Sequence, residues 1–211
     1  MVEVKICGIT KDFEIDYLNT LKPNYIGFVF SKSKRRVSKE EANKLIKKLH
    51  SSIKVVAVFR NEDISYIEDV INYTNVEIVQ LHGNEDMNYI NNLIKILNKE
   101  IKIWKAIEVI DEKSIEKIND YNISKILLDT NTPGEGNKID IRYLSELSNL
   151  ENIFIAGGIN KDNLKEVLEN INPNGIDVSS GVEEVDLNKK TYKSFEKMKE
   201  LIMEVGKYDK R

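Results

Sequence analysis

The single cysteine of the chain, Cys7, is a candidate for chemistry because it ends a short strand-like segment, Glu3–Cys7. A thiol reacts or takes up protons only as its thiolate, and nearby positive charge lowers its pKa. Alternation with a period of two puts Lys5 on the same side of the strand as Cys7, so Lys5 could supply that charge. The alternative is a small buried hydrophobic residue, which is the usual role of a free cysteine.

A carboxyl group occupies a comparable position much later in the chain. Asp129 directly follows the apolar residues Ile-Leu-Leu at the end of the strand-like segment Lys125–Asp129. It either caps a turn, which the Asn-Thr-Pro-Gly sequence of residues 131–134 favours, or faces a ligand. Two glycines and a proline within residues 131–137 predict a loop that could close over such a ligand.

Two glycine-bearing turns predict a binding site for an anion. Gly157 and Gly158 follow one strand-like segment, and Ser180 and Gly181 follow the next one. Glycine lets the main chain approach a ligand closely, and main-chain N–H groups at turns and helix starts bind anions. We interpret the two turns together as a phosphate site rather than as ordinary turns.

Three further polar residues could contact a ligand. Arg35 lies in the basic segment 32–36, where it could bind a carboxylate through two hydrogen bonds or belong to a solvated loop. Gln80 and His82 lie on one side of a strand end and could hydrogen-bond a ligand, although a turn before a helix also explains them. No group of His, Cys and carboxylate residues has metal-ligand spacing in the sequence, so we predict no metal.

The segments that carry these residues alternate between strand-like and helical patterns. The strand-like segments are 3–7, 24–30, 54–59, 77–81, 102–107, 125–129, 152–156 and 175–178. Each is followed by a helical segment, and eight such repeats predict an α/β single-domain (β/α)8 TIM barrel. The alternative, an open doubly wound sheet, would show a glycine-rich turn after the first strand, where Gly-Ile-Thr is a poor match. A barrel would place the chemistry at the C-terminal ends of its strands and a phosphate after the last two.

Three of the helical segments have clear boundaries or faces. Ser38 is an expected N-cap for a helix over residues 39–49, and Asn160 for a helix over residues 161–170. Residues 191–205 repeat apolar side chains at helical spacing, which predicts a long amphipathic helix at this position.

Length and composition restrict the remaining possibilities. The 211 residues fit one domain over 1–211, and 41% hydrophobic with 32% charged residues is typical of a globular chain. With 32 basic and 35 acidic side chains the net charge is −3, which argues against a nucleic-acid partner. One cysteine excludes an internal disulfide, and the sequence contains neither a leader pattern nor an apolar run of about 18 residues. We therefore expect a cytoplasmic protein without a membrane partner.

Seven motifs, spread in order over essentially the whole chain, resemble the phosphoribosylanthranilate isomerase family of tryptophan biosynthesis. They are 5–10 (KICGIT), 27–30 (GFVF), 33–38 (SKRRVS), 79–83 (VQLHG), 127–129 (LLD), 157–159 (GGI) and 177–183 (DVSSGVE). The resemblance implies a (β/α)8 barrel that needs no cofactor and takes a small phosphosugar substrate. The implied reaction is the Amadori rearrangement of N-(5-phosphoribosyl)anthranilate, the third step from chorismate. Its class is an intramolecular oxidoreductase that interconverts an aldose and a ketose.

The resemblance also implies roles for individual residues. Asp129 matches the family's general acid and Cys7 its general base, so we expect a raised pKa for this carboxyl group and a lowered pKa for this thiol. Arg35 matches the arginine that faces the anthranilate carboxylate. The residues expected to bind the substrate are Arg35, Gln80, His82 and Asp177, and those expected to bind its phosphate are Gly157, Gly158, Ser180 and Gly181.

Two short segments depart from the family pattern and could reduce turnover or substrate affinity. Residues 133–136 read Pro-Gly-Glu-Gly, with one glycine fewer than usual and an added acidic side chain, and residues 139–141 read Ile-Asp-Ile. The competing functions are another phosphosugar barrel, such as a ribulose-phosphate epimerase or a thiamin-phosphate synthase, and a non-catalytic phosphate-binding barrel. We expect a monomer or a homodimer.

Overall fold

The computed structural model describes residues 1–129 and 152–208, and its eight main strands close into one parallel barrel. The strands are β1 (Glu3–Cys7), β2 (Tyr25–Val29), β3 (Lys54–Phe59), β4 (Ile78–Leu81), β5 (Lys102–Glu108), β6 (Lys125–Asp129), β7 (Ile153–Ala156) and β8 (Gly175–Val178). Neighbouring strands pair in chain order, and β8 pairs with β1 to close the ring. The (β/α)8 barrel predicted from the sequence is confirmed.

Helices cover the outside of the barrel. In the described ranges they are α1 (Asp12–Leu21), α2 (Lys39–Ile46), α3 (Ile64–Thr74), α4 (Met87–Leu97), α5 (Glu112–Glu116), α6 (Lys161–Ile171) and α7 (Phe195–Tyr208). The predicted N-caps are confirmed, since Ser38 accepts a hydrogen bond from the Glu41 N–H and Asn160 accepts from two N–H groups of α6. Among these helices, none is long and apolar enough to cross a bilayer.

The alternation of side chains along each strand separates two layers of core. In β1, Val4 and Ile6 belong to the layer between strands and helices, whereas Cys7 belongs to a smaller cluster inside the barrel. Three aromatic rings of that inner cluster, from Tyr25, Trp104 and Phe154, pack against one another with centroids 4.9 to 5.9 Å apart. They lie towards the N-terminal ends of their strands, so a packed interior supports the polar groups at the other end.

The prediction of one helix over residues 191–205 was wrong at its start. Thr191–Lys193 is a strand, β10, which pairs antiparallel with β9 (Glu183–Val185), and the last helix begins only at Phe195. Tyr192 and Lys193 make contacts that a helix in this segment would lose. The Tyr192 hydroxyl donates to Glu184, and the buried Lys193 side chain donates from its ammonium group to Glu183. These tertiary contacts outweigh the helical spacing of the apolar residues further along the chain.

Candidate active site

A cavity of about 340 Å³ opens at the C-terminal ends of the barrel strands. Cys7 at the end of β1 and Asp129 at the end of β6 both line it, although 122 positions separate them in the sequence. Of the predicted site residues, the cavity walls contain Cys7, Arg35, His82, Asp129, Gly157, Gly158, Asp177 and Ser180. The other two, Gln80 and Gly181, lie behind the wall and contact residues that form it.

The Cys7 thiol lies above a buried ion pair. The Lys5 ammonium, which is fully buried, donates to Asp177 Oδ2 across 2.7 Å. Burial raises the pKa of Cys7, and the Lys5 charge only partly opposes this effect because the Asp177 carboxylate acts in the opposite direction. The predicted lowering of the thiol pKa is therefore wrong in direction for this arrangement. Burial favours the uncharged form of Lys5, but Asp177 and Cys7 together outweigh burial and raise the pKa of Lys5.

Asp177 has one carboxylate oxygen that Lys5 does not use. Its Oδ1 atom is buried and has no hydrogen-bond partner among the described residues. The residue is 7% exposed, and it lines the cavity. A buried carboxylate oxygen without a donor is costly, so this atom is suited to accept a hydrogen bond from a ligand hydroxyl group.

The second predicted catalytic residue, Asp129, is connected to Gln80 in β4 and to His82, which directly follows this strand. His82 Nε2 lies 3.0 Å from Asp129 Oδ2, and His82 Nδ1 lies 3.1 Å from Gln80 Nε2. The Gln80 amide donates to Nδ1, which leaves the proton on Nε2 to donate to Asp129. In the structure Gln80 and His82 form a hydrogen-bonded chain that orients the Asp129 carboxyl group. His82 also lines the cavity, and contact of these two residues with a ligand stays a prediction.

The turns after β7 and β8 pack directly on each other. Gly157 and Gly158 have φ angles of +94° and +63°, a left-handed conformation that favours glycine. A Cβ atom on Gly181 would lie 1.9 Å from the carbonyl oxygen of Ile159, so the second turn can approach the first only because residue 181 is glycine. Ser179 donates from its hydroxyl group to the Cys7 carbonyl oxygen at 3.0 Å, which connects this turn to β1.

We predict that Gly181→Ala separates the two turns, destabilises the fold by about 1–3 kcal/mol and weakens binding of phosphorylated ligands. The matched control is Gly206→Ala in α7, where a Cβ atom would have no heavy atom within 4 Å. This control should be neutral or stabilising by up to about 1 kcal/mol. Thermal unfolding and phosphate titration of both variants provide the measurement, and equal behaviour of the two would contradict the prediction.

Arg35 is held by Glu183, which is not among the predicted site residues. Glu183 at the start of β9 accepts from Arg35 Nε at 2.5 Å and from Nη2 at 2.8 Å, a bidentate pair. Lys193 in β10 donates to the same carboxylate at 2.9 Å. Burial alone raises the pKa of Glu183, but the hydrogen bonds and charges of Arg35 and Lys193 outweigh it and lower this pKa to about 2.

The loop over residues 131–137 and the departures at 133–136 and 139–141 lie outside the described residues. Within residues 1–129 and 152–208, no three His, Cys, Asp or Glu side chains are grouped as metal ligands would be.

A closed (β/α)8 barrel with ionisable groups at its C-terminal mouth and glycine turns after β7 and β8 is typical of barrel enzymes that act on small phosphorylated molecules. The model of the family described as N-(5'phosphoribosyl)anthranilate (PRA) isomerase matches residues 4–203 of this chain. The chain belongs to this family, and the resemblance predicted from the sequence motifs is confirmed.

Individual members of the family are similar to this chain over nearly its full length. The N-(5'-phosphoribosyl)anthranilate isomerase of Clostridium beijerinckii is 44% identical, with 97% of each chain covered. That of Clostridium acetobutylicum is 43% identical, with 99% of this chain and 100% of the relative covered. The crystal structure of the isomerase from Thermotoga maritima superposes with a TM-score of 0.83 at 33% identity, covering 98% and 100% of the two chains. A further solved isomerase, with a TM-score of 0.80 and 31% identity, contains reduced 1-(o-carboxyphenylamino)-1-deoxyribulose 5-phosphate.

Proposed function

We propose that this protein converts N-(5'-phosphoribosyl)anthranilate into 1-(2-carboxyphenylamino)-1-deoxyribulose 5-phosphate in tryptophan biosynthesis. The observation that carries the proposal is the placement of Cys7 and Asp129 on one cavity in a chain of this isomerase family. In the overall reaction C2 loses its hydrogen and C1 gains one, while the furanose ring opens and its oxygen takes up a proton. It therefore needs one group that donates a proton and one that accepts a proton.

Asp129 is the proposed acid for ring opening. Its protonated carboxyl group donates to the furanose oxygen while the bond from this oxygen to C1 breaks and the nitrogen lone pair forms a Schiff base at C1. The hydrogen bond from His82 Nε2 keeps the acid in one orientation for this transfer. Orientation matters because a donor must lie within hydrogen-bond reach of the atom that it protonates.

Cys7 is the proposed base for the next step. Its thiolate removes the C2 proton of the Schiff base, the C2–H electrons form a C1=C2 double bond, and the C1=N electrons return to the nitrogen, which gives an enol-amine. C1 then takes up a proton while the C2 hydroxyl loses one, and C2 becomes the ketone of the product. The aldose has thereby become a ketose without any external oxidant or reductant. Burial favours the uncharged thiol, so the cationic Schiff base beside it would assist ionisation of Cys7.

The remaining cavity residues support substrate binding in the same orientation. We assign the phosphate to the turns that contain Gly157, Gly158 and Ser180, with Gly181 allowing the two turns to approach each other. Asp177 Oδ1 accepts from a sugar hydroxyl group, because this buried oxygen has no donor among the described residues. Arg35 faces the anthranilate carboxylate.

Four further properties of the protein stay predictions. They are the aldose–ketose class of intramolecular oxidoreductase, independence from cofactors and metals, a cytoplasmic location, and a monomer or homodimer as the functional form. One structurally similar protein, the isomerase of Thermotoga maritima, is described as dimeric, with monomers produced from it. The two chains are 32% identical, the match covers 98% of this chain and 100% of that one, and the TM-score is 0.82.

The test is the consumption of phosphoribosylanthranilate by the purified protein, followed through the loss of its fluorescence, with and without a chelator. We expect turnover that the chelator does not change. Tight binding of the reduced product without turnover would instead support a non-catalytic phosphate-binding barrel. Loss of activity with the chelator would contradict the metal-free scheme.

A further inference from the structure

The β9–β10 hairpin places a buried cation behind the cavity wall, in contact with Ser179, which lines the cavity. Lys193 is 1% exposed, and its ammonium group donates to the Ser179 carbonyl oxygen at 3.0 Å and to Glu183 Oε1 at 2.9 Å. Burying an ammonium group is costly, and burial does lower the pKa of Lys193 despite the opposing effect of Glu183. Packing alone therefore does not explain why a lysine is buried at this position.

The position of Arg35 is determined from two sides. Its aliphatic part packs on Gly8, where an added Cβ atom would lie 2.4 Å from Arg35 Cδ. On the other side Glu183 engages Nε and Nη2, which fixes the plane of the guanidinium group and leaves Nη1 as the part that Glu183 does not use. Arg35 lines the cavity, so this fixed guanidinium group is presented to a ligand there.

The charges of the three groups explain why a third residue is needed. Arg35 and Glu183 alone form a neutral pair, and a neutral pair attracts an anionic ligand only weakly. Lys193 contacts the same carboxylate and brings the sum of the three charges to +1. Lys193 therefore supplies the charge that keeps Arg35 attractive to a carboxylate while Glu183, from the same hairpin, holds Arg35 in place.

We propose that Lys193 is a specificity-determining positioning residue, which neutralises Glu183 and so preserves the positive charge of Arg35 for the carboxylate of the substrate. The proposal rests on the function proposed above, in which Arg35 meets that carboxylate. It assigns the β9–β10 hairpin to the active site, although neither hairpin strand belongs to the barrel sheet.

The experiment compares two ligands that differ only in the carboxylate. One is reduced 1-(o-carboxyphenylamino)-1-deoxyribulose 5-phosphate, and the other is the same compound without the ring carboxylate. The dissociation constant of the ligand without the carboxylate, divided by that of the ligand with it, measures recognition of the carboxylate. Any change at the phosphate turn through Ser179 affects both ligands equally. Lys193→Met, which keeps most of the buried stem, should reduce this ratio about tenfold, or about 1.4 kcal/mol.

A second variant separates the charge effect from a merely structural one. In Lys193→Met combined with Glu183→Gln, both charges of the buried pair are removed and the charge of Arg35 is again unopposed. The ratio should then return to within about threefold of the unsubstituted value. A structural role of Lys193 predicts the opposite, because removing a second partner of the hairpin would add to the damage.

The matched control is Lys197→Met. Lys197 is a half-exposed lysine of α7 that donates to the main-chain oxygen of Glu183 at 2.8 Å, so it contacts the same residue without neutralising its carboxylate. Its ratio should not change. An unchanged ratio in Lys193→Met, or a further decrease in the double variant, would overturn the proposal. Turnover of phosphoribosylanthranilate by the unsubstituted protein tests the proposed function separately, so the two failures are distinguishable.

Discussion

Asp129→Asn is expected to lower kcat by about 10²- to 10⁴-fold, which is the usual contribution of a general acid or base. Asparagine keeps the size of the side chain, and its oxygen can still accept from His82 Nε2, which lies 3.0 Å from the carboxylate. It has no carboxyl proton to donate to the furanose oxygen, so ring opening is the step that slows. The affinity for the reduced product, which needs no ring opening, should stay within about threefold.

The control for this variant is a second carboxyl group at the same level of the barrel. Glu108 is the register partner of Asp129 on the neighbouring strand β5 and is exposed. Glu108→Gln removes a charge near Asp129 without removing the proposed acid, so kcat should change by less than about threefold. Full activity of Asp129→Asn, or equal losses in the two variants, would show that Asp129 is not the acid.

The part of the site that the sequence predicts well depends on strand order and side-chain parity. Cys7 and Asp129 end the first and sixth strands, and the C-terminal ends of parallel barrel strands necessarily lie on one face. The glycine turns after β7 and β8 could also be predicted from the sequence, because the unusual main-chain conformations that glycine allows depend on local sequence. Only the order of the segments was needed to bring these residues to one cavity.

The contacts that tune the site could not be predicted, because they join residues far apart in the chain. The Lys5–Asp177 ion pair spans 172 positions and the Arg35–Glu183 pair spans 148. The expected lowering of the Cys7 pKa took account of Lys5 alone, and Asp177 offsets much of that charge. A signal for Lys193 did exist in the β-branched and aromatic residues before it, but the helical spacing of the following apolar residues concealed the strand.

Cys7→Ala is expected to lower kcat by about 10²- to 10⁴-fold while the fold is retained, because the proposed base is lost and only a small buried group is removed. Cys7→Ser should be as impaired, since a hydroxyl group of the same shape is a far weaker acid than a thiol and forms almost no anion. Both variants should bind the reduced product within about threefold of the unsubstituted protein. This pair distinguishes loss of a base from loss of packing, because serine fills the position that alanine leaves partly empty.

The pH dependence gives a second and independent measurement of the same group. Burial raises the pKa of Cys7, so the thiol is mostly protonated near neutral pH, and kcat/KM should increase with pH until the thiol has ionised, above its usual value of about 8.5. The chain has one cysteine, so the ultraviolet absorbance of the thiolate reports this ionisation directly, with Cys7→Ser as the blank. The two curves should share one midpoint. Activity that is already constant below pH 7, or an active Cys7→Ala enzyme, would remove Cys7 from the role of base.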